Sequence, residues 1–335
     1  MEDRIQLGHG SGGIMTKELL DELIFEAFSN PYLDKKHDGS IVDMNGKVAI
    51  STDSFVVSPI FFKGGNIGDL AINGTVNDVA MCGAIPKFLT LSFIIEEGLL
   101  MTDFRRIIES IKKAAAESKV EIITGDTKVV ERGKGDKIFI NTTGFGPIHP
   151  KANISIDRIR EGDKIIVNGN IAQHGIAIMS QREGLTFESD IESDTTYLHE
   201  LVEDLLDTFG EKIKLFRDPT RGGVASVLSE IAGETTLGIS LNENNLPIDR
   251  QVKAVCELLG LDPLYVANEG LFLAIVDQEI ESDVLSLMRS KNKGKNSQTI
   301  GEFTSDHPKK VVMKSVIGGK RIVTPLLGEQ LPRIC

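Results

Sequence analysis

The 335 residues carry 37 Lys and Arg against 49 Asp and Glu, a formal charge of −12, which argues against a nucleic-acid partner. Apolar residues at 41% and charged residues at 26% are those of a soluble globular chain, and the length suits two domains that each bury a core. No apolar run is long enough to span a bilayer and the N-terminal MEDRIQLG lacks signal-peptide features, so the expectation is a cytoplasmic protein that does not engage a membrane. Cys82, Cys256 and Cys335 show no CxxC spacing and the six histidines no HxxxH pair, which leaves little room for a disulfide framework or a zinc site.

In chain order, Gly8-His9-Gly10-Ser11-Gly12-Gly13 fits GxGxxG and precedes a helix with Leu19, Leu20, Leu23, Ile24, Ala27 and Phe28 on one face. A dinucleotide fingerprint needs a βαβ unit around those glycines. The segment after this helix reads instead as a hairpin, Ser40–Asp43 and Lys47–Thr52 about Asn45-Gly46. A glycine loop folding over a phosphate fits better, and plain N-terminal slack remains the alternative. The spacing predicts a helix over 66–83, a buried strand over 87–96 and a helix over 102–118 capped by Thr102 or Asp103. Val120–Thr124 reads as a short strand feeding a Gly125-Asp126-Thr127-Lys128 loop, and Lys137–Gly146 as another strand. That order is α+β with a mixed or antiparallel sheet.

A boundary falls near Pro147–Asn153, giving an N-terminal domain over 1–150 and a C-terminal α/β domain over 151–324. The second domain reads as strands over 164–167, 271–276 and 298–303, with helices over 169–181, within 190–209, and over 224–232, 249–259 and 279–288. A hairpin at Gly318-Gly319 closes it, and residues 325–335 form a mobile tail.

The stretch Ser51–Gly83 gathers Asp53, Asp69, Asp78 and Asn77 in mostly apolar surroundings. Carboxylates so placed need partners or a hard cation, and Mg²⁺ with phosphate is the usual one. Singly, each is better read as a strand end, a helix start or a solvated side chain. Gly125-Asp126-Thr127 beside Lys128 can face a ligand or form a plain turn. Asp218-Pro219-Thr220-Arg221-Gly222-Gly223 opens a helix whose free amides suit phosphate, or is an ordinary capped start. Glu269, in Asn268-Glu269-Gly270, is a candidate general base or a surface turn carboxylate, while Cys82 and Cys256 fit packed core thiols. Cys335 ends the chain on a tether that can swing between sites, unless it is an incidental terminal thiol.

Ser51-Thr52-Asp53, Val76 to Ala84, Gly125-Asp126-Thr127 and Asp218 to Gly223, in this order, resemble the ATP-binding superfamily of aminoimidazole ribonucleotide synthetase and selenophosphate synthetase. With Pro332-Arg333-Ile334-Cys335 at the terminus, the closest resemblance is to its hydrogenase-maturation branch, the HypE carbamoyl dehydratases. The resemblance implies an N-terminal domain dimerising through its sheet, a C-terminal α/β domain and a flexible tail. It implies ATP bound with Mg²⁺ on Asp53, Asp78, Asp126 and Asp218, with Asp69, Asn77, Gly125, Thr127, Thr220 and Arg221 also at the nucleotide. It further implies Cys335 as the thiol that receives a carbamoyl group from HypF and is dehydrated to a thiocyanate, with Lys128 and Glu269 managing protons. The cyanide would then pass to iron on a HypC–HypD complex. Selenophosphate synthetases carry a reactive Cys or selenocysteine in the glycine-rich loop. Here His9 and Ser11 stand there, so the reactive sulfur falls to the tail.

Overall fold

The computed structural model describes residues 3–36, 39–182, 191–326, 328 and 334. A 3₁₀ turn, Leu7–Gly10, leads into α1 (Ile14–Leu19), which runs through a π-helical turn (Leu20–Phe25) into α2 (Glu26–Phe28). Then come β1 (Val48–Phe55), β2 (Phe61–Phe62), β3 (Gly65–Asn66), α3 (Ile67–Met81), β4 (Phe88–Glu96), α4 (Met101–Glu117), β5 (Glu121–Val130) and β6 (Ile138–Pro147). Four of these strands form a mixed sheet in the order β1-β6-β4-β5, in which only β4 and β5 run parallel. Alternation along β4 sends Leu89, Leu91, Phe93 and Ile95 into one core with α3 and α4, and leaves Ser92 and Ile94 on the outer face.

Three local expectations change. Residues 40–46 form no strand, so the hairpin at Asn45-Gly46 is absent, and β1 pairs with β6 from Val48↔Pro147 to Phe55↔Ile140. The Ser40 hydroxyl donates instead to the Ile123 carbonyl, drawing that segment toward β5. α4 starts at Met101 without a side-chain cap, because the Asp3 carbonyl takes the Met101 amide at 2.9 Å in place of Thr102 or Asp103. Gly125-Asp126-Thr127 is no loop: it lies inside β5, where a Cβ on Gly125 would meet the Leu91 carbonyl oxygen at 2.0 Å. Glycine there lets the two parallel strands approach.

The C-terminal half contains β7 (Lys164–Val167), α5 (Gln173–Arg182), α6 (His199–Phe209), β8 (Ile213–Arg217), α7 (Gly223–Glu234), β9 (Gly238–Asn242) and α8 (Arg250–Leu259). It continues with β10 (Leu273–Val276), α9 (Glu281–Ser290), β11 (Gln298–Thr304), β12 (Val311–Lys314) and β13 (Lys320–Val323). The sheet runs β13-β12-β9-β11-β7-β10-β8, antiparallel except between β12 and β9. Both faces of its centre are covered. Ile165, Val167, Leu273 and Ile275 pack with α7, while Ile166, Ala274 and Val276 pack with α6 and α9. Neither β8 nor β9 is expected from the sequence, since a strand of five residues is too short for its own periodicity to mark it and is identified by its neighbours in the sheet.

Asn77 joins the two halves. Its Nδ2 donates to the Thr196 carbonyl at 2.9 Å and the Glu269 carbonyl at 3.1 Å, and its Oδ1 accepts from the Leu198 amide at 2.8 Å. At 1% exposure no water can replace these partners. Asn77→Ala is expected to destabilise the protein by about 3 kcal/mol in urea unfolding. Asn77→Asp should do at least as badly, since a carboxylate cannot donate to two carbonyls. Near-wild-type midpoints for both would remove Asn77 as a structural tie.

Candidate active site

β1, the C-terminal turn of α3, the start of α7 and the approach to β10 converge on one acidic cluster. Asp53 shares the inner face of β1 with Ser51, whose hydroxyl donates to Asp78 Oδ2 at 2.8 Å. Asp218 accepts from Thr220 Oγ1 at 2.7 Å. Burial, then the charges of Asp218 and Asp53, push the Asp78 carboxyl up to about 7. Burial also raises Asp53, opposed in part by its bond from the Ser54 amide and by Arg221. Glu269, 6% exposed, is driven well above the ordinary carboxylate range by burial and by Asp194, Asp218, Asp53 and Asp78. Its Oε1 makes no hydrogen bond. Half-buried Asp53, Asp78 and Asp218 and the buried Glu269, with one oxygen unpartnered, offer only oxygen donors, the chemistry a hard divalent cation takes, although among the described residues no three of them bring their oxygens within 4.8 Å of one another.

Arg221 lies within electrostatic reach of Asp53. Gly222 and Gly223 both adopt left-handed backbone, at φ 73° and 59°, and α7 begins there without a side-chain cap. A Cβ on Gly223 would meet the Leu264 carbonyl oxygen at 2.5 Å, so this turn is held against the segment preceding Glu269. Asn268 clamps it from the other side, donating from Nδ2 to the Pro219 carbonyl at 2.9 Å. The second acidic motif and Glu269 are thus one packed unit.

Other expected site residues stand apart. Asp69 sits in the first turn of α3, where its Oδ1 accepts from the Asn66 amide at 2.7 Å in a capping box. Nine residues of helix, about 13 Å, separate it from Asp78. Asn77 makes the inter-half tie, with its side-chain amide engaged by protein. Asp126 and Lys128 pair with each other, Nζ to Oδ1 at 2.5 Å. They lie level with Ser92 and Ile94, on the outer face of the sheet, whereas Asp53 faces α3. Asp53 and Gly125 share a row through Thr142 and Leu91, three strand spacings or about 14 Å. Within one chain, then, Asp126 does not join Asp53, Asp78 and Asp218.

Gly125, Asp126, Thr127 and Lys128 line a different space, a cavity of about 530 Å³ beneath the N-terminal segment. Its other walls include Gly10, Gly12, Thr16, Tyr32 and Lys36, and the π-helical turn contributes Leu20, Ile24 and Phe25. The glycine-rich segment therefore does cover a pocket, although no βαβ unit surrounds it. Cys82 also departs from expectation. It is exposed at the end of α3, with its thiol raised by partial burial and the charges of Asp78 and Asp218, while Cys256 is buried with its thiol pushed up to about 11. Cys335 lies outside the described residues. Ile334, inside the stretch expected to be mobile, is 3% exposed and hydrogen-bonded to His174. His174, Ser193 and Asp194 are functional candidates that the sequence does not reveal. A lone histidine among apolar residues and a Ser-Asp pair before a helix carry no spacing signal.

Residues 36–148 match the N-terminal domain, and residues 160–314 the C-terminal domain, of the AIR synthase related proteins. This defines the class: a two-domain AIR synthase related protein with its acids gathered between the domains. Across 332 residues the chain is 49% identical to the carbamoyl dehydratase HypE of Bradyrhizobium diazoefficiens, covering 99% of this chain and 96% of that one. It superposes with a TM-score of 0.95 and 45% identity on a crystal structure of the hydrogenase maturation protein HypE in complex with ATP, covering 98% and 99% of the two chains. A HypE–HypF complex matches at a TM-score of 0.81 and 44% identity, covering 92% and 99%. The chain belongs to the HypE family, the carbamoyl dehydratases of hydrogenase maturation.

The crowded acids predict a pH effect with a definite sign. Because the folded Asp78 carboxyl is raised, the stability it lends is full below about pH 4 and is lost as pH rises through about 7. Without ligands, the thermal midpoint should fall from pH 5.5 to pH 8, and Mg²⁺ should raise it more at pH 8. Asp78→Asn should flatten the decline and raise the pH 8 midpoint by roughly 2 °C. Scanning fluorimetry with and without MgCl₂ checks this, and a midpoint independent of pH and of Mg²⁺ would contradict it.

Proposed function

We propose that this protein dehydrates a carbamoyl group carried on Cys335 to a thiocyanate with ATP, and so supplies the cyanide ligand for a NiFe hydrogenase. The observation that best supports this reading is the buried Ile334, whose carbonyl is bound by His174 on the same framework that carries Glu269. The residue next to Ile334 in the chain is Cys335.

The chemistry follows from leaving-group quality. An amide oxygen leaves poorly, and transfer of the ATP γ-phosphoryl to it turns it into phosphate. Transfer gives S–C(OPO₃)=NH with loss of one N–H proton. Elimination of phosphate with loss of the second N–H proton leaves S–C≡N, with ADP and phosphate as co-products. Asp53, Asp78 and Asp218 would hold Mg²⁺, which when bound supplies charge stabilisation at the transferred phosphoryl. In its carboxylate form Glu269, whose proton affinity is raised first by burial and then by the neighbouring acids, would accept a proton from the substrate nitrogen. Arg221, Thr220 and the uncapped start of α7 face the phosphates.

Asp126 and Lys128 sit about 14 Å from this centre on the other face of the sheet. Their part, Asp126 as a metal ligand and Lys128 at the substrate oxygen, requires a second copy. β1 and β5 are both edge strands, and a homodimer built through the sheets brings β5 of one chain toward the acids of the other. Partners of this protein are a HypF-type carbamoyltransferase, in line with the HypE–HypF complex, and a HypC–HypD scaffold that receives the cyanide. The setting is the cytoplasm. No helix among the described residues is long and apolar enough to cross a membrane.

The deciding experiment is mass spectrometry of the C-terminal peptide after incubation with the carbamoyltransferase, carbamoyl phosphate and MgATP. A carbamoyl adduct on Cys335 that loses one water only with cleavable ATP is the expected result, and Cys335→Ala should abolish turnover while ATP still binds. An adduct that never loses water would reduce the protein to a carrier. An unmodified tail with ATP cleaved on addition of a free substrate would make it a small-molecule synthetase.

A further inference from the structure

His174, on α5, is 0% exposed, and both of its ring nitrogens are engaged. Nε2 lies 2.6 Å from the Ile334 carbonyl oxygen and Nδ1 2.8 Å from Ser193 Oγ. A carbonyl oxygen only accepts, so Nε2 carries the proton and Nδ1 accepts from the Ser193 hydroxyl. The Thr195 amide donates to the same Ser193 oxygen at 3.2 Å, which turns the hydroxyl hydrogen toward the ring. Burial pushes His174 down to about 4, so the ring stays neutral around pH 7, as this tautomer requires. Phe62 meets the ring edge-on at a centroid distance of 5.7 Å.

Both ends of this relay are anchored to the acid site. Asp194, the residue after Ser193, accepts from the Glu269 amide at 3.2 Å. Gly175, the residue after His174, donates to the Ala267 carbonyl at 3.0 Å. Ile334 packs in the same apolar cluster as Ala267 and Ile178. An isoleucine side chain in an apolar pocket tolerates sliding and rotation, because dispersion contacts have little direction. A hydrogen bond from a rigid ring does not. The carbonyl carbon of Ile334 is bonded to the nitrogen of Cys335, and the peptide unit is planar. Whatever fixes that oxygen fixes the plane from which Cys335 departs.

We propose that His174 is a positioning residue, a latch whose Nε2–H holds the Ile334–Cys335 peptide unit and so registers Cys335 against Glu269. What Cys335 carries rests on the proposed function, whereas the latch is a property of the tail alone. The loss of one directed hydrogen bond to the carrier segment corresponds to about a tenfold slower dehydration.

The test uses the full-length protein with its tail carbamoylated, and reads two rates in the C-terminal peptide. One is single-turnover loss of water after MgATP is added, and the other is alkylation of Cys335 by iodoacetamide in the uncarbamoylated protein. His174→Ala should slow the first about tenfold and speed the second, with ATP affinity unchanged. His174→Gln, which keeps an N–H donor at the Nε2 position, should recover most of both. Ser193→Ala, a smaller change that frees Nδ1 to take the proton, should fall between and remains informative where His174→Ala fails to fold. Equal rates in Ser193→Ala, His174→Gln and wild type, or His174→Gln as impaired as His174→Ala, would overturn the latch. A wild-type tail that never loses water would instead overturn the dehydratase reading, and the alkylation rates would still decide the latch.

Discussion

One extended segment, residues 193–198, satisfies buried polar groups from four different elements, and the site depends on it. The Ser193 amide donates to the Lys63 carbonyl at 2.9 Å, tying the segment to the β2–β3 turn. Its hydroxyl orients His174, Asp194 holds the Glu269 amide, and Thr196 and Leu198 bracket Asn77 on α3. Backbone without regular structure is rarely buried, since its N–H and C=O groups lack ladder partners. Here side chains and carbonyls of both halves supply those partners. The segment therefore cannot shift without releasing groups that water does not reach.

That rigidity allows the acids to be held where they repel. Asp53, Asp78, Asp218 and Glu269 would separate or find cations in a looser frame. Instead Asp78 and Glu269 are kept in surroundings that favour their protonated forms. Burial comes first in raising both groups, and the repulsion of the neighbouring acids adds to it. The Ser51 bond to Asp78 and the Thr220 bond to Asp218 fix carboxylate orientation while leaving oxygens available.

The sequence made the class legible because its strongest signals are local. Val76 to Ala84 and Asp218 to Gly223 are short motifs whose glycines and acids read together, and the family and both helices that carry them are found where the patterns put them. What stayed hidden is set by partners distant in the chain. Asn77 looks like a ligand beside Asp78, yet its amide is claimed by residues 196, 198 and 269. Asp69 has the same chemistry as Asp78, but the helix turns it into a cap. Gly125-Asp126-Thr127 reads as a loop from its composition, and the parallel pairing with β4 makes it strand. His174 and Ser193 lie in stretches with no periodic or motif signal at all.

The separation of Asp126 and Lys128 from the other acids is a consequence of strand alternation. Side chains two apart on β5 must share a face, so these two residues travel together, and the face that Ser92 and Ile94 occupy is the one α3 and α4 do not cover. Ile50 is 68% exposed and Ile94 46% exposed on that same face, an apolar surface that a monomer would leave in water. Covering it buries apolar area and joins the Asp126–Lys128 pair to whatever packs there. Any partner that covers those isoleucines would therefore also meet the charged pair.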